Sequence, residues 1–248
     1  MRPRRPKQLS ILVALALTIA GVLLSSPASG APAISQQSSN GALKNLLSPT
    51  LIRAEIVTNS GGKVGDYRID RGVVRKLRGR LLTLGERDGT IVQIRLSSAT
   101  QISVDDRRSP AWRVRPGMRV TAMQIGDAAT SWLYVTRRSP DRSELKIRPL
   151  LSIGFVRAEV VSWSAGELLD SRADTGVIES ISGTSLTLDE SDGTTVELQI
   201  DGATQVQVNG VQADAASLAA GMRAVTIGDG DGTVSQIWAR GKLSGGKK

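Results

Sequence analysis

The chain has 248 residues, 32 Lys/Arg against 23 Asp/Glu, and a formal net charge of +9. It contains no cysteine and no histidine. Those absences exclude disulfides, thiolate nucleophiles, cysteine-ligated zinc and histidine-based acid–base or metal chemistry.

In chain order, residues 1–33 read as a signal peptide. Arg2, Arg4, Arg5 and Lys7 precede an apolar run, Ile11–Leu24, and small-residue exits follow at Gly30 and Ala33. The run is shorter than the roughly 20 residues a membrane helix needs. Arg4-Arg5 suggests twin-arginine export, but the residues that usually follow such a pair are absent. The expectation is a secreted, extracellular or cell-envelope protein that does not span the membrane after cleavage. Residues 34–50, rich in Ser, Gln and Asn, read as a flexible lead-in.

From residue 51 a pattern begins that recurs 104 residues later. Arg53-Ala54-Glu55 matches Arg157-Ala158-Glu159, and Leu82-Thr83-Leu84 matches Leu186-Thr187-Leu188. Asp88-Gly89-Thr90, Ala99-Thr100-Gln101 and Gly117-Met118-Arg119 have counterparts at the same offset. Such a period is too long for a solenoid repeat and fits two whole domains. Their predicted bounds are 51–138 and 151–242, with a linker at 139–150 and a tail at 243–248. Within each copy the apolar period is two, as at Val92, Ile94 and Leu96 and again at Val196, Leu198 and Ile200. That alternation predicts half-buried strands. Asp88-Gly89 and Asp192-Gly193 predict hairpin turns. Short helical pieces are predicted at Pro110–Arg115 and Asp214–Ala220. The fold class expected is all-β: two tandem small antiparallel β-barrels, OB- or SH3-like, since closure removes exposed edges.

The pattern G-V-I-x-S-I-S-G-x-x-L-T-L-x-x-x-D-G-T-x-V at Gly176–Val196, followed by A-T-Q-V-x-V and G-M-R, resembles a class of exported bacterial β-barrel domains of unknown function. The first copy carries it as Gly72-Val73-Val74, Leu82–Leu84, Asp88–Thr90 and Gly117–Arg119, and the R-A-E-[IV]-V strand resembles actinobacterial versions. The resemblance spans both copies. It implies a small barrel in an envelope or extracellular setting, and it implies no activity.

Charge divides the copies. Residues 53–138 hold 17 Lys/Arg and 8 Asp/Glu, a net of +9, whereas residues 157–242 hold 5 and 13, a net of −8. Lys76, Arg78 and Arg80 fall two apart, on one face of a strand. Their counterparts are Ser180, Ser182 and Thr184. Arg107, Arg108, Arg113 and Arg115 are matched by Val211, Gln212, Ser217 and Ala219. These seven cations are the candidate anion-binding residues. The expected partner is an anionic envelope polymer, with nucleic acid disfavoured by the scarcity of aromatic platforms. Docking of the basic copy on the acidic one, within or between chains, is a second reading, and a solvated soluble face is a third. Trp112, beside Arg113, is the candidate exposed aromatic contact.

No cofactor, metal or catalytic residue is predicted, and the chain is read as non-enzymatic, with an enzyme that needs neither His nor Cys as a further alternative that no motif supports. Gly228–Thr233 resembles the start of a calcium loop, but Arg240 stands where the closing Glu would be, so it reads as a polar hairpin turn. Asp105-Asp106 read as neighbours on one strand, pointing to opposite faces. Glu86 and Glu190, flanking the hairpin turns, read as solvated cross-strand partners.

Overall fold

The computed structural model describes residues 50–137, 147–151 and 154–242. The predicted signal peptide, nearly all of the lead-in, most of the linker and the tail lie outside the described residues. The protein is all-β. The first half contains β1 (Leu51–Ser60), β2 (Lys63–Arg78), β3 (Leu81–Gly85), β4 (Ile91–Arg95), β5 (Gln101–Val104), β6 (Arg107–Arg108), β7 (Arg119–Ile125) and β8 (Trp132–Thr136). The second contains β9 (Phe155–Ser164), β10 (Glu167–Ser182), β11 (Ser185–Glu190), β12 (Thr195–Gln199), β13 (Gln205–Val208), β14 (Val211–Ala213), β15 (Arg223–Asp229) and β16 (Val234–Arg240). Single 3-10 turns at Ala111–Arg113 and Ala215–Ser217 stand where short helices were predicted. No helix among the described residues is long and apolar enough to cross a membrane.

The strands form one mixed sheet in the order β14-β13-β16-β15-β10-β9-β1-β2-β7-β8-β5-β6, with β3–β4 branching from β2 and β11–β12 from β10. This differs from the expected pair of closed antiparallel barrels in two ways. Two pairings, β5 with β8 and β13 with β16, are parallel. Neither half closes through a strand ladder: in the second, β12 reaches the start of β16 by a single bridge, Gln199 to Thr233. Closure is also not the only way to protect an edge. Here the first strands of the two halves pair with each other, β1 antiparallel to β9.

The long strands hold each half together. β2 pairs with β1 over residues 63–70, with β7 over 67–73 and with β3 over 73–78. Gly72 lies where these partners change, and a Cβ there would sit 2.6 Å from the Gly85 carbonyl oxygen. Gly176 in β10 meets the Asp189 carbonyl at the same 2.6 Å. Both positions need glycine because a neighbouring backbone passes too closely for a side chain.

The period-two apolar residues point inward. Val74, Leu82, Leu84, Ile94 and Leu133 anchor the core of the first half. Ile178, Leu186, Leu188, Leu198 and Ile237 anchor that of the second. A third cluster joins the halves: Ala54, Ile56 and Ile69 pack with Ala158 and Val160, and Ile147 and Leu150 cover them. Part of the predicted linker is therefore core, with Ile147 fully buried. Ile56→Ala in this junction should cost about 2–4 kcal/mol. Urea unfolding checks this through a lowered midpoint.

Candidate functional site

The register of β1 on β9 sets Glu55 opposite Glu159, with Arg53 facing Val161 and Val57 facing Arg157. Residues equivalent at the 104 offset are thus related by a local twofold axis through the Glu55–Glu159 pair: Ala54 meets Val160 as Ile56 meets Ala158. Adjacent strands extend one polar row across this face, Arg68-Glu55-Glu159-Arg172.

On each side of that row an arginine grips the neighbouring hairpin turn. Arg53 Nη1 lies 2.5 Å from Glu86 Oε2 and 2.8 Å from Asp88 Oδ2. Arg157 Nη1 lies 2.5 Å from Glu190 Oε2 and 2.8 Å from Asp192 Oδ2. Arg68 and Arg172 pair with the buried Asp70 and Asp174 at 3.3 and 3.0 Å. Each turn also reaches the other half. The Arg87 guanidinium lies 5.1 Å from the centre of the Trp163 ring, and Asn59 Nδ2 donates to the Ser191 carbonyl.

Glu86 and Glu190 are thus not solvated partners. Both are buried, and in each one carboxyl oxygen, Oε1, has no hydrogen-bond partner among the described residues. Burial is the main reason that each carboxyl is pushed up to about 7, against the opposing pull of Arg53 or Arg157. The carboxylates of Asp70 and Asp88, and of Asp174 and Asp192, push in the same direction as burial. Partial burial acts against ionisation of Asp88 and Asp192 as well, yet hydrogen bonds from Thr90 and Thr194 and the arginines hold both below the usual carboxylate range. No group of three or more acidic side chains among the described residues is arranged to hold a metal ion.

The predicted anion-binding residues are all exposed, and they fall in two places. Lys76 and Arg78 lie on the outer side of β2, in rows with Thr83 and Leu81 of β3, and Arg80 follows in the turn. Arg107, Arg108 and Arg113 gather at the far edge, on β6 and the adjoining 3-10 turn, and Arg115 follows that turn. Arg107 and Arg113 share a shallow depression with Arg137, whose guanidinium binds Asp105 at 2.9 Å. Trp112 is 63% exposed, with the Arg113 guanidinium 5.3 Å from its ring centre.

Asp105 and Asp106 do not lie on a strand. They form the tight turn between β5 and β6 with φ of 47° and 65°. A two-residue hairpin turn needs this left-handed geometry at both positions, and aspartate tolerates it. Their carboxylates diverge, Asp105 accepting from Arg137 and Asp106 from the Tyr134 hydroxyl at 3.0 Å. That hydroxyl belongs to a feature not singled out from sequence. Trp132 and Tyr134 alternate with Leu133 and Val135 along β8, so their rings share one face and stack at 5.6 Å. They line a depression of about 360 Å³ with Gln101, Ser103, Asp106 and Arg108. The spacing of two between the aromatic residues was the available signal.

No protein-family model matches the chain, and no curated protein matches it.

The two buried glutamates give a signed pH dependence. Their folded-state values lie above the ordinary 4.5. The protonated form therefore favours the fold fully below the unfolded value, and that contribution is lost as pH rises through about 7. Urea midpoints should fall between about pH 5 and about pH 8. Replacing both, Glu86→Gln and Glu190→Gln, should flatten that decline.

Proposed function

We propose that the protein is a non-catalytic, exported binding protein that holds an anionic polymer of the cell envelope through its first half. One observation carries this reading. The seven cations Lys76, Arg78, Arg80, Arg107, Arg108, Arg113 and Arg115 are exposed and make no ion pair among the described residues. At the equivalent positions the second half carries neutral residues on matching elements. The scaffold thus folds without cations there, so their placement answers to something outside the fold. A concentrated set of solvated arginines attracts a polyanion.

The matched triplets and the matching succession of elements support reading the halves as duplicated modules, each a rolled sheet around its own core. The apolar segment near the N-terminus and the likeness to exported bacterial domains support an envelope or extracellular setting. Docking of the basic half on the acidic half is the weaker reading. Among the described residues the contacts between halves run through the β1–β9 ladder, the junction core and the hairpin turns, and none of the seven cations takes part in them.

Heparin-type affinity chromatography tests the proposal. The protein, without residues 1–33, should be retained at low salt and released as salt rises. Converting all seven cations to their second-half counterparts should abolish retention. Equal retention of that variant would refute this reading.

A further inference from the structure

The depression beneath β8 and β5 combines a flat aromatic surface with polar groups of every kind. Trp132 is half-buried and stacks at 5.6 Å on Tyr134, whose hydroxyl is held by Asp106. The parallel pairing of β5 with β8 places Gln101 beside Trp132 and Ser103 beside Tyr134. Arg108 completes the lining. An amide, a hydroxyl, a carboxylate and a guanidinium therefore converge on about 360 Å³ beside an indole ring. Binding sites share this form, an apolar wall with a few placed polar groups.

We infer that this depression binds one acidic sugar unit of a polysaccharide, with the pyranose ring against Trp132 and its carboxylate or sulfate on Arg108. A sugar ring presents an apolar C–H face and a rim of hydroxyls that both donate and accept. Trp132 suits the face. Gln101 and Ser103 can donate and accept, and Asp106 retains acceptor capacity beyond its bond to Tyr134. Arg108 matches a planar carboxylate in a two-pronged bond. A phosphate chain would make no use of the indole. A single-stranded nucleic acid would want successive aromatic platforms along its length. The second half lacks four of these residues: Gln236, Gln212, Gly210 and Gln207 stand at the positions of Trp132, Arg108, Asp106 and Ser103, while Gln205 and Trp238 keep an amide and an aromatic ring at those of Gln101 and Tyr134.

This inference rests on the first half being the polymer-binding half, and the test separates the two. Isothermal titration is run at low salt with oligogalacturonate, a heparin oligosaccharide, inorganic polyphosphate and oligothymidylate. The variants are Trp132→Gln and Arg108→Gln, which install the residues the second half already carries. An acidic oligosaccharide should bind more tightly than polyphosphate or oligothymidylate, and each variant should weaken it by at least about tenfold. In the wild-type protein the Trp132 indole N–H resonance should shift on saturation, a readout that needs no variant. If all polyanions bind alike and neither Trp132→Gln nor the indole signal responds, the sugar site is wrong while polyanion binding stands. Tighter binding of polyphosphate or oligothymidylate also overturns it. If nothing binds, both readings fall.

Discussion

The antiparallel pairing of β1 with β9 joins the two halves into one sheet. Centred on Glu55 opposite Glu159, it places equivalent residues across a local twofold axis. Like charges directly opposite on neighbouring strands are unfavourable by a few tenths of a kcal/mol to about 1 kcal/mol. Arg68 and Arg172 flank the pair in the same row and offset that cost. On the reverse face the same register brings Ile56 onto Ala158 and Ala54 onto Val160. The junction is thus apolar on one side and charged on the other, and both faces come from one alternation of residues.

The charged side adds a second layer. Each hairpin turn, at Glu86–Thr90 or Glu190–Thr194, is tied to its own half by an arginine and to the other half by Arg87 or Asn59. The turns clamp the central strands from above. Burying a carboxylate beside one guanidinium is expensive when its second oxygen lacks a partner. Glu86 and Glu190 both carry that cost, which makes the clamp sensitive to protonation. The cations proposed to hold a polymer lie elsewhere, on β2–β3 and at the β5–β6 edge of the first half. The two halves follow the same succession of elements yet differ in charge, +9 over residues 53–138 against −8 over 157–242.

Much of the frame was legible from residues. The alternation at Ile94 and Leu96, and at Leu198 and Ile200, identified strands and their inward faces. Asp88-Gly89 identified a turn, because Gly89 adopts the φ of 91° that such a turn requires. The joined sheet was not legible, since nothing in Arg53-Ala54-Glu55 distinguishes an edge strand from one that pairs with its counterpart. Parallel pairing of β5 with β8 was hidden for the same reason: hydrophobic period gives the face of a strand, never its neighbour. Glu86 was misread because a carboxylate beside a turn is usually solvated, and its partner Arg53 lies 33 residues away. Among the candidate cations the exposure of all seven was foreseeable from the neutral residues opposite them in the alignment of the halves. Their separation into two groups was not, because it depends on where the 3-10 turn at Ala111–Arg113 is carried by the sheet.

Because the chain has no cysteine, the pairing of β1 with β9 can be probed directly. A protein carrying Glu55→Cys and Glu159→Cys places its only two thiols on exposed residues that face each other across the junction. Cross-strand neighbours lie within the Cα separation a disulfide accepts. Mild oxidation should give a monomer with an intrachain bond, seen as a faster-migrating band on non-reducing electrophoresis and as a tryptic peptide linking residues 55 and 159. Free thiols, or dimers linked only between chains, would contradict the shared sheet.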